Sequence, residues 1–286
     1  MVGIGLIGTG YWGKNHARVY RELLEEGLID DLIFCDIDKN RVKDLAGEDI
    51  RYTTDYRELL SDTTIDAVDI VTPSKTHMSI GSEFLKNGKD VFVEKPMTMC
   101  SKEAKEFVQI AEESGRVLMV GHIFRYHPGI SEIKTKINKN EFGKIYYMDT
   151  KRTAFNPPRR DMGVLFALGI HEVDLYCHLL GQEYPEEIQC TRGKYLQSDI
   201  EEIAHINLVF KDDIQCHAFE SWMSPFSRKT REFTIIGSKM SAKIDYLKPQ
   251  EILLFQGNIS AYSDANGAIS FDITDEGVTT KSIPFR

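Results

Sequence analysis

Cysteine is scarce in this chain, and no cysteine pattern marks a metal site or a disulfide framework. The 286 residues contain five cysteines, at positions 35, 100, 177, 190 and 216, and no two of them form a C-x-x-C pair. An odd and scattered set of this kind favours reduced thiols in a protein core. We therefore expect neither structural disulfides nor a metal centre.

Long apolar runs and an excess of positive charge are also missing. No uninterrupted apolar stretch is long enough to cross a bilayer, and the first residues are typical of a strand rather than of an export signal. The net charge of -9 argues against general binding of nucleic acid. With 42% hydrophobic and 28% charged residues, the composition indicates a cytoplasmic protein with enough chain for two domains.

A glycine-rich segment near the N-terminus carries the first sign of chemistry. The run Gly8-Thr9-Gly10-Tyr11-Trp12-Gly13 follows a short apolar strand and opens a helical pattern. In such a turn the first glycine permits the tight bend, the second lets the backbone approach a diphosphate, and the third allows close helix packing. The helix N-terminus adds positive potential. We predict that this segment binds the diphosphate of a dinucleotide, although a G-x-G-x-x-G pattern alone also occurs in simple turns.

An acidic residue follows the second apolar run at the spacing of a ribose-binding acid. Residues 32–35 are apolar and are followed by Asp36. A carboxylate accepts hydrogen bonds from a ribose 2'-hydroxyl and repels a 2'-phosphate, so Asp36 favours NAD over NADP. The nearby Lys39 and Arg41 leave NADP open as the less favoured cofactor.

The order of predicted elements indicates the fold. Strand and helix patterns alternate up to about residue 121, which is typical of a doubly wound parallel sheet of the Rossmann type. Thr72-Pro73-Ser74 and Glu94-Lys95-Pro96 both end strands, where such sheets bind ligands. After residue 121 long β-type runs dominate. We predict an α/β protein with a nucleotide-binding domain at 1–121 and an α+β domain with a large, mostly antiparallel sheet at 122–286.

Several motifs, in order, resemble the Gfo/Idh/MocA oxidoreductases, which include glucose-fructose oxidoreductase and inositol dehydrogenase. Besides the segments already quoted, the resemblance rests on His77, on Arg125 with Pro128, and on the run from Gly169 to Asp174. The segments at 121–128 and 157–174 resemble the UDP-N-acetylglucosamine 3-dehydrogenase group of that family. The resemblance implies oxidation of a sugar hydroxyl with NAD.

Two residues have the chemistry that this reaction needs. Oxidation of a secondary alcohol requires a base for the hydroxyl proton and a positive group near the developing alkoxide. A histidine side chain ordinarily titrates near neutrality, so His171 can take the proton, while Lys95 can stabilise the oxyanion. The alternative is that Lys95 only pairs with Glu94 and that His171 is a core histidine.

The remaining site residues are implied by the resemblance. For the cofactor they comprise the glycine turn (Gly8, Thr9, Gly10, Tyr11, Trp12, Gly13), Asp36, and the later residues Thr72, Pro73, Ser74, His77, Glu94 and Lys95. For the substrate they comprise Arg125, Tyr126, His127, Arg152, Arg159 and Asp174. The alternative for His77 is a packing role, and the alternative for Arg159, which follows two prolines, is a place in a solvated loop.

One position departs from the family pattern. The family commonly has an aspartate four residues before the histidine, where this chain has Ala167. Asp174 can replace that carboxylate or can fix the helix and the histidine. His171, Asp174 and His178 also share one helical face, which imitates a metal site, but the hydride reading explains His171 without a metal.

The sequence therefore predicts an NAD-dependent dehydrogenase for C3 of a UDP-N-acetylglucosamine-type sugar. A dehydrogenase of a free sugar or inositol is one alternative, and a sensor of NAD or nucleotide sugars without turnover is another, favoured by Ala167. The family resemblance also implies a homodimer or homotetramer formed through the C-terminal sheet, in which Ile206, Leu208 and Phe210 bury either at that interface or under helices.

Overall fold

A computed structural model describes residues 2–226, 229–263 and 268–284. The chain divides into two compact units, Met1–His122 and Ile123–Arg286. Among the described residues, no helix combines the length and apolar character that a membrane crossing requires.

The first unit is built on a six-stranded, fully parallel sheet. Its strands are β1 (Gly3–Ile7), β2 (Asp31–Cys35), β3 (Arg51–Thr53), β4 (Ala67–Ile70), β5 (Asp90–Val93) and β6 (Leu118–Val120). They lie in the order β3-β2-β1-β4-β5-β6, which is the strand order of a Rossmann fold. Successive strands are added to one side of β1 up to β3 and to its other side from β4 onwards, so the strand order reverses between β1 and β4. Such folds bind ligands at this point, at the carboxyl ends of the strands.

Helices connect the strands of this sheet. They are α1 (Tyr11–Glu25), α2 (Lys39–Ala46), α3 (Arg57–Ser61), α4 (His77–Lys86) and α5 (Ser101–Ser114). The sheet separates two apolar clusters, one containing Leu6, Phe34 and Ala17 and the other containing Ile70 and Phe107. Because both faces of a parallel sheet are buried, its strands read as nearly continuous apolar runs.

The second unit is built on an eight-stranded mixed sheet. Its strands are β7 (Ile145–Ala154), β8 (Glu187–Gly193), β9 (Ile203–Phe210), β10 (Ile214–Ser221), β11 (Lys229–Gly237), β12 (Met240–Asp245), β13 (Glu251–Gln256) and β16 (Val278–Ser282). The order is β16-β13-β12-β11-β7-β10-β9-β8, and the pairing of β7 with β10 is parallel while the others are antiparallel. Strands β14 (Ile259–Ser263) and β15 (Ile269–Ile273) form a separate hairpin.

Two helices, α6 (Pro128–Asn138) and α7 (Ile170–Leu180), pack on one face of the larger sheet. Ile206, Leu208 and Phe210 alternate along β9 and are buried in the core that contains residues of these helices. They therefore lie under helices, and the residues between them along β9 point to the outer face of the sheet. The parallel first sheet and the mostly antiparallel second sheet confirm the fold class predicted from the sequence.

Candidate functional site

The glycine turn between β1 and α1 has the geometry of a diphosphate cradle. Gly8 has a φ of 101°, and a Cβ there would lie 2.7 Å from the carbonyl oxygen of Val71. A Cβ on Gly13 would lie 2.0 Å from the carbonyl oxygen of Gly8, whereas a Cβ on Gly10 would meet nothing within 4 Å. Gly10 thus lines open space at the N-terminus of α1, where backbone N–H groups have no partner in the helix.

Two aromatic residues follow Gly10 in the first turn of α1. Tyr11 and Trp12 are both exposed, and their rings meet edge to face with centroids 5.6 Å apart. An exposed aromatic pair at this position offers apolar surface beside the open space at Gly10.

Asp36, which follows β2, is held by the glycine turn itself. Its Oδ2 accepts hydrogen bonds from the backbone N–H and the hydroxyl of Thr9, at 2.7 and 2.9 Å, and its Oδ1 accepts from the N–H of Asp38 at 2.9 Å. Burial alone would raise the pKa of Asp36, but these hydrogen bonds and the charge of Arg41 lower it. The carboxylate is thus ionised and fixed beside the turn.

The turns after β4 and β5 are joined by His77. This histidine is buried, with its Nδ1 2.9 Å from the carbonyl oxygen of Pro96 and its Nε2 2.9 Å from that of Thr72. The hydroxyls of Thr72 and Thr76 are hydrogen-bonded to each other at 2.7 Å. His77 therefore ties together the two predicted ligand-binding turns, while Pro73 and Ser74 lie in the first of them.

The turn after β5 contains the predicted catalytic lysine. The peptide bond between Lys95 and Pro96 is cis. Glu94 accepts the backbone N–H of Lys95 through Oε2 at 3.1 Å, so the Glu94 side chain contacts the main chain of the turn.

A buried ionic cluster beside Glu94 was missed by the sequence analysis. His16 on α1 contacts Asp69 Oδ2 through Nδ1 at 2.6 Å and Glu94 Oε1 through Nε2 at 3.2 Å. Asp69 lies in the middle of β4 and has no exposed surface. A single carboxylate inside an otherwise apolar strand was the signal that could have revealed the cluster, because a buried charge needs a partner.

In the second unit, His171 is the second residue of α7 and packs against Phe124. It is 8% exposed, and its ring meets the Phe124 ring edge to face with centroids 4.9 Å apart. The guanidinium of Arg152 lies 4.3 Å from the centroid of the same Phe124 ring. The Phe124 ring thus packs against one side of His171, the predicted base, and the guanidinium of Arg152 covers the Phe124 ring.

Arg152 belongs to a buried group of charges rather than to an open surface. Its Nε donates to Glu172 Oε1 at 2.6 Å, and the register of the sheet places it between Glu220 on β10 and Arg231 on β11. Burial and the charge of Glu172 raise the pKa of Glu220 well above its usual value. A guanidinium held in this way supports α7 from the sheet, so it is not available as a surface contact for a diphosphate.

Arg125 and Asp174 form a bidentate ion pair. Arg125 Nε donates to both carboxylate oxygens of Asp174, at 3.0 and 2.9 Å, and Nη2 donates to Oδ1 at 2.5 Å. Asp174 is largely buried, whereas Arg125 is 42% exposed at its side chain. Asp174 therefore holds Arg125 in place.

The other predicted substrate residues differ in their surroundings. Tyr126 is exposed, while His127 is buried, accepts the N–H of Gly129 at the start of α6, and has its pKa lowered by burial. Arg159 is exposed and paired with Asp161 two residues later. The side chain of Arg159 is 44% exposed, so this loop arginine is at least as accessible as Arg125.

Ala167 lies in a π-helical turn, Leu165–Gly169, that precedes α7. It is buried in an apolar cluster with Ala154, Met162 and Trp222, among others. The π turn widens the helical turn between residues 167 and 171, so the two side chains do not have the angular spacing of a regular α-helix. His178 lies on α7, and the described residues contain no group of three or more His, Cys, Asp or Glu side chains that could hold a metal.

A Rossmann sheet with an open glycine turn and a fixed ribose-side acid defines a dinucleotide-binding domain. Two family models match the chain: the oxidoreductase family GFO_IDH_MocA, NAD-binding Rossmann fold, over residues 2–122, and the GFO/IDH/MocA C-terminal domain over residues 130–243. The chain belongs to the GFO/IDH/MocA oxidoreductases, which makes it an NAD-dependent enzyme of that family.

Three relatives illustrate the range of the family. A 2,7-anhydro-N-acetylneuraminate hydratase of Mediterraneibacter gnavus is 28% identical over 85% of this chain and 67% of its own length. UDP-N-acetylglucosamine 3-dehydrogenase of Acidithiobacillus ferrooxidans is 33% identical over 63% of this chain and 54% of its own length. A solved structure of UDP-N-acetylglucosamine 3-dehydrogenase from the same organism superimposes with a TM-score of 0.78 at 26% identity, covering 96% of this chain and 84% of that one.

Proposed function

We propose that this protein oxidises a secondary hydroxyl on a sugar ring and transfers the hydride to NAD. The observation that carries the proposal is that the chain, within a family of NAD-dependent oxidoreductases, has both Lys95 after β5 and His171 at the start of α7. The cradle at Gly10 and the ionised Asp36 supply what a dinucleotide needs.

The two residues divide the proton and charge chemistry between them. Bound NAD would be held by the glycine turn and Asp36 and would supply the hydride acceptor. In the proposed mechanism, His171 as neutral imidazole accepts the hydroxyl proton. Lys95 as ammonium stabilises the negative charge that develops on the same oxygen. Phe124 keeps the His171 ring in one orientation, which favours proton transfer at a fixed nitrogen.

For the substrate we propose C3 of a UDP-N-acetylglucosamine-type nucleotide sugar. The Acidithiobacillus enzyme with that activity is 33% identical over the matched part of this chain. Arg125, held by Asp174, and the exposed Arg159 are cations that suit a diphosphate. Tyr126 and His127 lie between Arg125 and α6 and complete the proposed substrate set.

A second candidate is a conversion of a sugar without net oxidation. It is favoured by the hydratase of Mediterraneibacter gnavus, which matches 85% of this chain. An enzyme that removes a hydride and later returns it to the same molecule leaves no NADH at the end of turnover. The two candidates therefore differ in whether NADH accumulates.

The test is incubation of the purified protein with NAD and a panel of UDP-sugars, anhydro sugars, free sugars and inositols. Absorbance at the NADH maximum and mass analysis of the sugar are followed together, with Lys95→Ala and His171→Ala as test variants. Lys102→Ala, at an exposed lysine on α5, is the matched control.

The outcomes separate the candidates. NADH formation with one UDP-sugar, lost in both test variants and kept in the control, supports the nucleotide-sugar dehydrogenase. A changed sugar without NADH supports the second candidate, and NADH formation from a free sugar or inositol moves the substrate to that class. Binding of NAD and a sugar without any change in either would contradict catalysis and favour a sensor.

We also propose that two or four copies assemble through the outer face of the eight-stranded sheet. On β9 and β10 this face presents stacked rings, with His205 and Phe219 centroids 4.6 Å apart and His205 and His217 centroids 5.9 Å apart. Tyr147 on the neighbouring β7 is exposed on the same parity. A sheet face with exposed aromatic residues suits a second copy of itself related by a two-fold axis.

A further inference from the structure

A line of contacts leads from the interior of the first unit to the backbone of Lys95. Asp69 Oδ2 lies 2.6 Å from His16 Nδ1, and His16 Nε2 lies 3.2 Å from Glu94 Oε1. The other oxygen of Glu94 accepts the N–H of Lys95 at 3.1 Å. The side chains of His16, Asp69 and Glu94 are 16%, 1% and 13% exposed, so little solvent screens these contacts.

The contacts of His16 favour its charged form, against the burial that raises the pKa of Asp69. Both ring nitrogens face carboxylates, and both can donate only when the ring is an imidazolium. Burial lowers the pKa of His16, but the hydrogen bonds and charges of Asp69 and Glu94 outweigh it and raise the pKa to about 9. Tyr20, one turn further along α1, also faces Asp69 and helps to lower the pKa of that carboxyl group against its burial. A cation is therefore fixed between β4 and the turn after β5.

Burial of such a cluster lowers the stability of the fold, because charged groups lose their hydration. Asp69 lies between Val68 and Ile70 in a central strand, and an apolar residue at its position would avoid the desolvation of a carboxylate. Local rules of this kind are typically broken at functional sites. The position of the cluster, at the turn with the lysine, agrees with that expectation.

We propose that His16 is a positioning residue for Lys95: clamped between Asp69 and Glu94, the imidazolium holds the Glu94 carboxylate against the Lys95 backbone and so fixes the turn that presents the lysine. This inference rests on the proposed function, in which Lys95 stabilises the developing oxyanion. Asp69 holds the His16 ring in place, since its carboxylate is buried on the central strand β4. Glu94 connects the His16 ring to the backbone of the turn.

The first experiment needs no substrate. ¹⁵N NMR of the histidine side chains at pH 7.5, with His16→Asn used for assignment, reports the protons on each ring nitrogen. We expect both nitrogens of His16 to carry a proton at this pH. A neutral ring with one bare nitrogen would overturn the clamp.

The second experiment follows Lys95 directly. Trace acylation of the protein with acetic anhydride, read by mass spectrometry, gives the reactivity of Lys95 relative to that of Lys102 in the same sample. We expect the reactivity of Lys95 relative to that of Lys102 to change at least about threefold in His16→Asn, because the turn that presents the Lys95 amine loses the contact that fixes it. An unchanged relative reactivity would overturn the proposal whether or not a substrate is known.

The third experiment uses the substrate found for the wild type. His16→Asn keeps a hydrogen-bond donor for Asp69 and removes the donor that contacts Glu94. His16→Gln keeps a donor that can contact Glu94. We expect kcat to fall about tenfold or more in His16→Asn and to recover partly in His16→Gln, with the Kd for NAD within about twofold of wild type. Arg18→Gln, at an exposed position on α1, is the matched control and should match wild type.

The results distinguish this inference from the proposed function. Wild-type kcat in a folded His16→Asn overturns the positioning role and leaves the dehydrogenase proposal intact. A wild type that turns over no sugar contradicts the dehydrogenase proposal, and the NMR and acylation results then decide the clamp by themselves. A loss confined to NAD binding would assign His16 to the cofactor site instead and overturn the proposal.

Discussion

Single glycines in one turn carry different constraints. Gly13 is required by packing, since its Cβ position is 2.0 Å from the carbonyl oxygen of Gly8. Gly10 has a φ of -69° and open space around it, so neither backbone conformation nor protein packing requires a glycine there. A side chain at residue 10 would instead occupy the space into which a diphosphate would fit.

The first prediction follows from this difference. Gly10→Ala should fold with a thermal midpoint within about 2 °C of wild type and bind NAD at least about tenfold more weakly, because the methyl group occupies the cradle. Gly13→Ala should lower the midpoint as well, because backbone must shift to admit it. Thermal unfolding and titration of NAD by fluorescence test the pair, and unchanged affinity in Gly10→Ala would contradict the cradle.

The Arg125 pair supplies the second prediction. Asp174→Asn should raise the KM for an anionic sugar substrate about fivefold and change kcat by less than about twofold, because one half of the bidentate contact, worth about 1 kcal/mol, is lost and Arg125 is no longer fixed. Initial rates against substrate concentration measure both constants. Glu183→Gln, at an exposed acid beyond α7, is the control, and a fall in kcat at constant KM would instead place Asp174 in the chemical step.

At the scale of elements, the apolar periodicity carried most of the information. Apolar runs that alternate with helical patterns predicted the strands of the first sheet. The apolar run of β5 also placed Lys95 correctly after a strand. The π turn before α7 could not be predicted, because one change of helical phase leaves no periodic signal in five residues. The partners of Arg152 and Asp174 also depend on distant strands and helices, and their register is not visible in local pattern.

The third prediction concerns that π turn. Ala167→Asp should lower the thermal midpoint by about 5 °C or more, because a carboxylate would be buried among Ala154, Met162 and Trp222. Ala167→Ser, a smaller polar change, should cost less and serves as the comparison. An unchanged midpoint for Ala167→Asp would contradict this prediction, and a gain of turnover would show that a carboxylate at this position supports catalysis.

The fourth prediction is a pH dependence at the contact of α1 with β4 and β5. The folded pKa of His16 is raised to about 9, above its ordinary value of about 6.5, so the stability that its charge contributes is present below pH 6.5. That contribution is lost as the pH rises through 9. Tyr20, whose pKa is also raised, does not ionise in this window, and Asp69 and Glu94 are the other charged groups facing the ring.

Urea unfolding at several pH values measures this contribution. Between pH 7 and 10 the free energy of unfolding should fall more steeply for wild type than for His16→Asn, which has no imidazole to deprotonate. Arg18→Gln should follow the wild type, since its surface ion pair with Glu22 lies outside the cluster. Parallel curves for wild type and His16→Asn would show that the ring does not carry its charge in this range.

At the scale of the whole molecule, assembly gives the fifth prediction. If copies associate through the outer sheet face, Phe219→Glu should convert the assembly to monomers, because it puts a charge in the middle of the stacked rings. Light scattering coupled to size exclusion measures the mass. NAD binding should remain, since Gly10 and Asp36 lie in the other unit, and a monomeric wild type would contradict the proposed interface.

His77 has a consequence for the whole cofactor site. One buried ring touches the backbone of both turns, at Thr72 and at Pro96, so neither turn can move without a change at the other. Coupling free energies are reciprocal: a cofactor that prefers one arrangement of the first turn biases the lysine turn by the same amount, and the state of the lysine turn biases affinity for the cofactor equally. Cofactor binding and the position of the lysine turn would then be coupled through a residue that donates no group to the reaction.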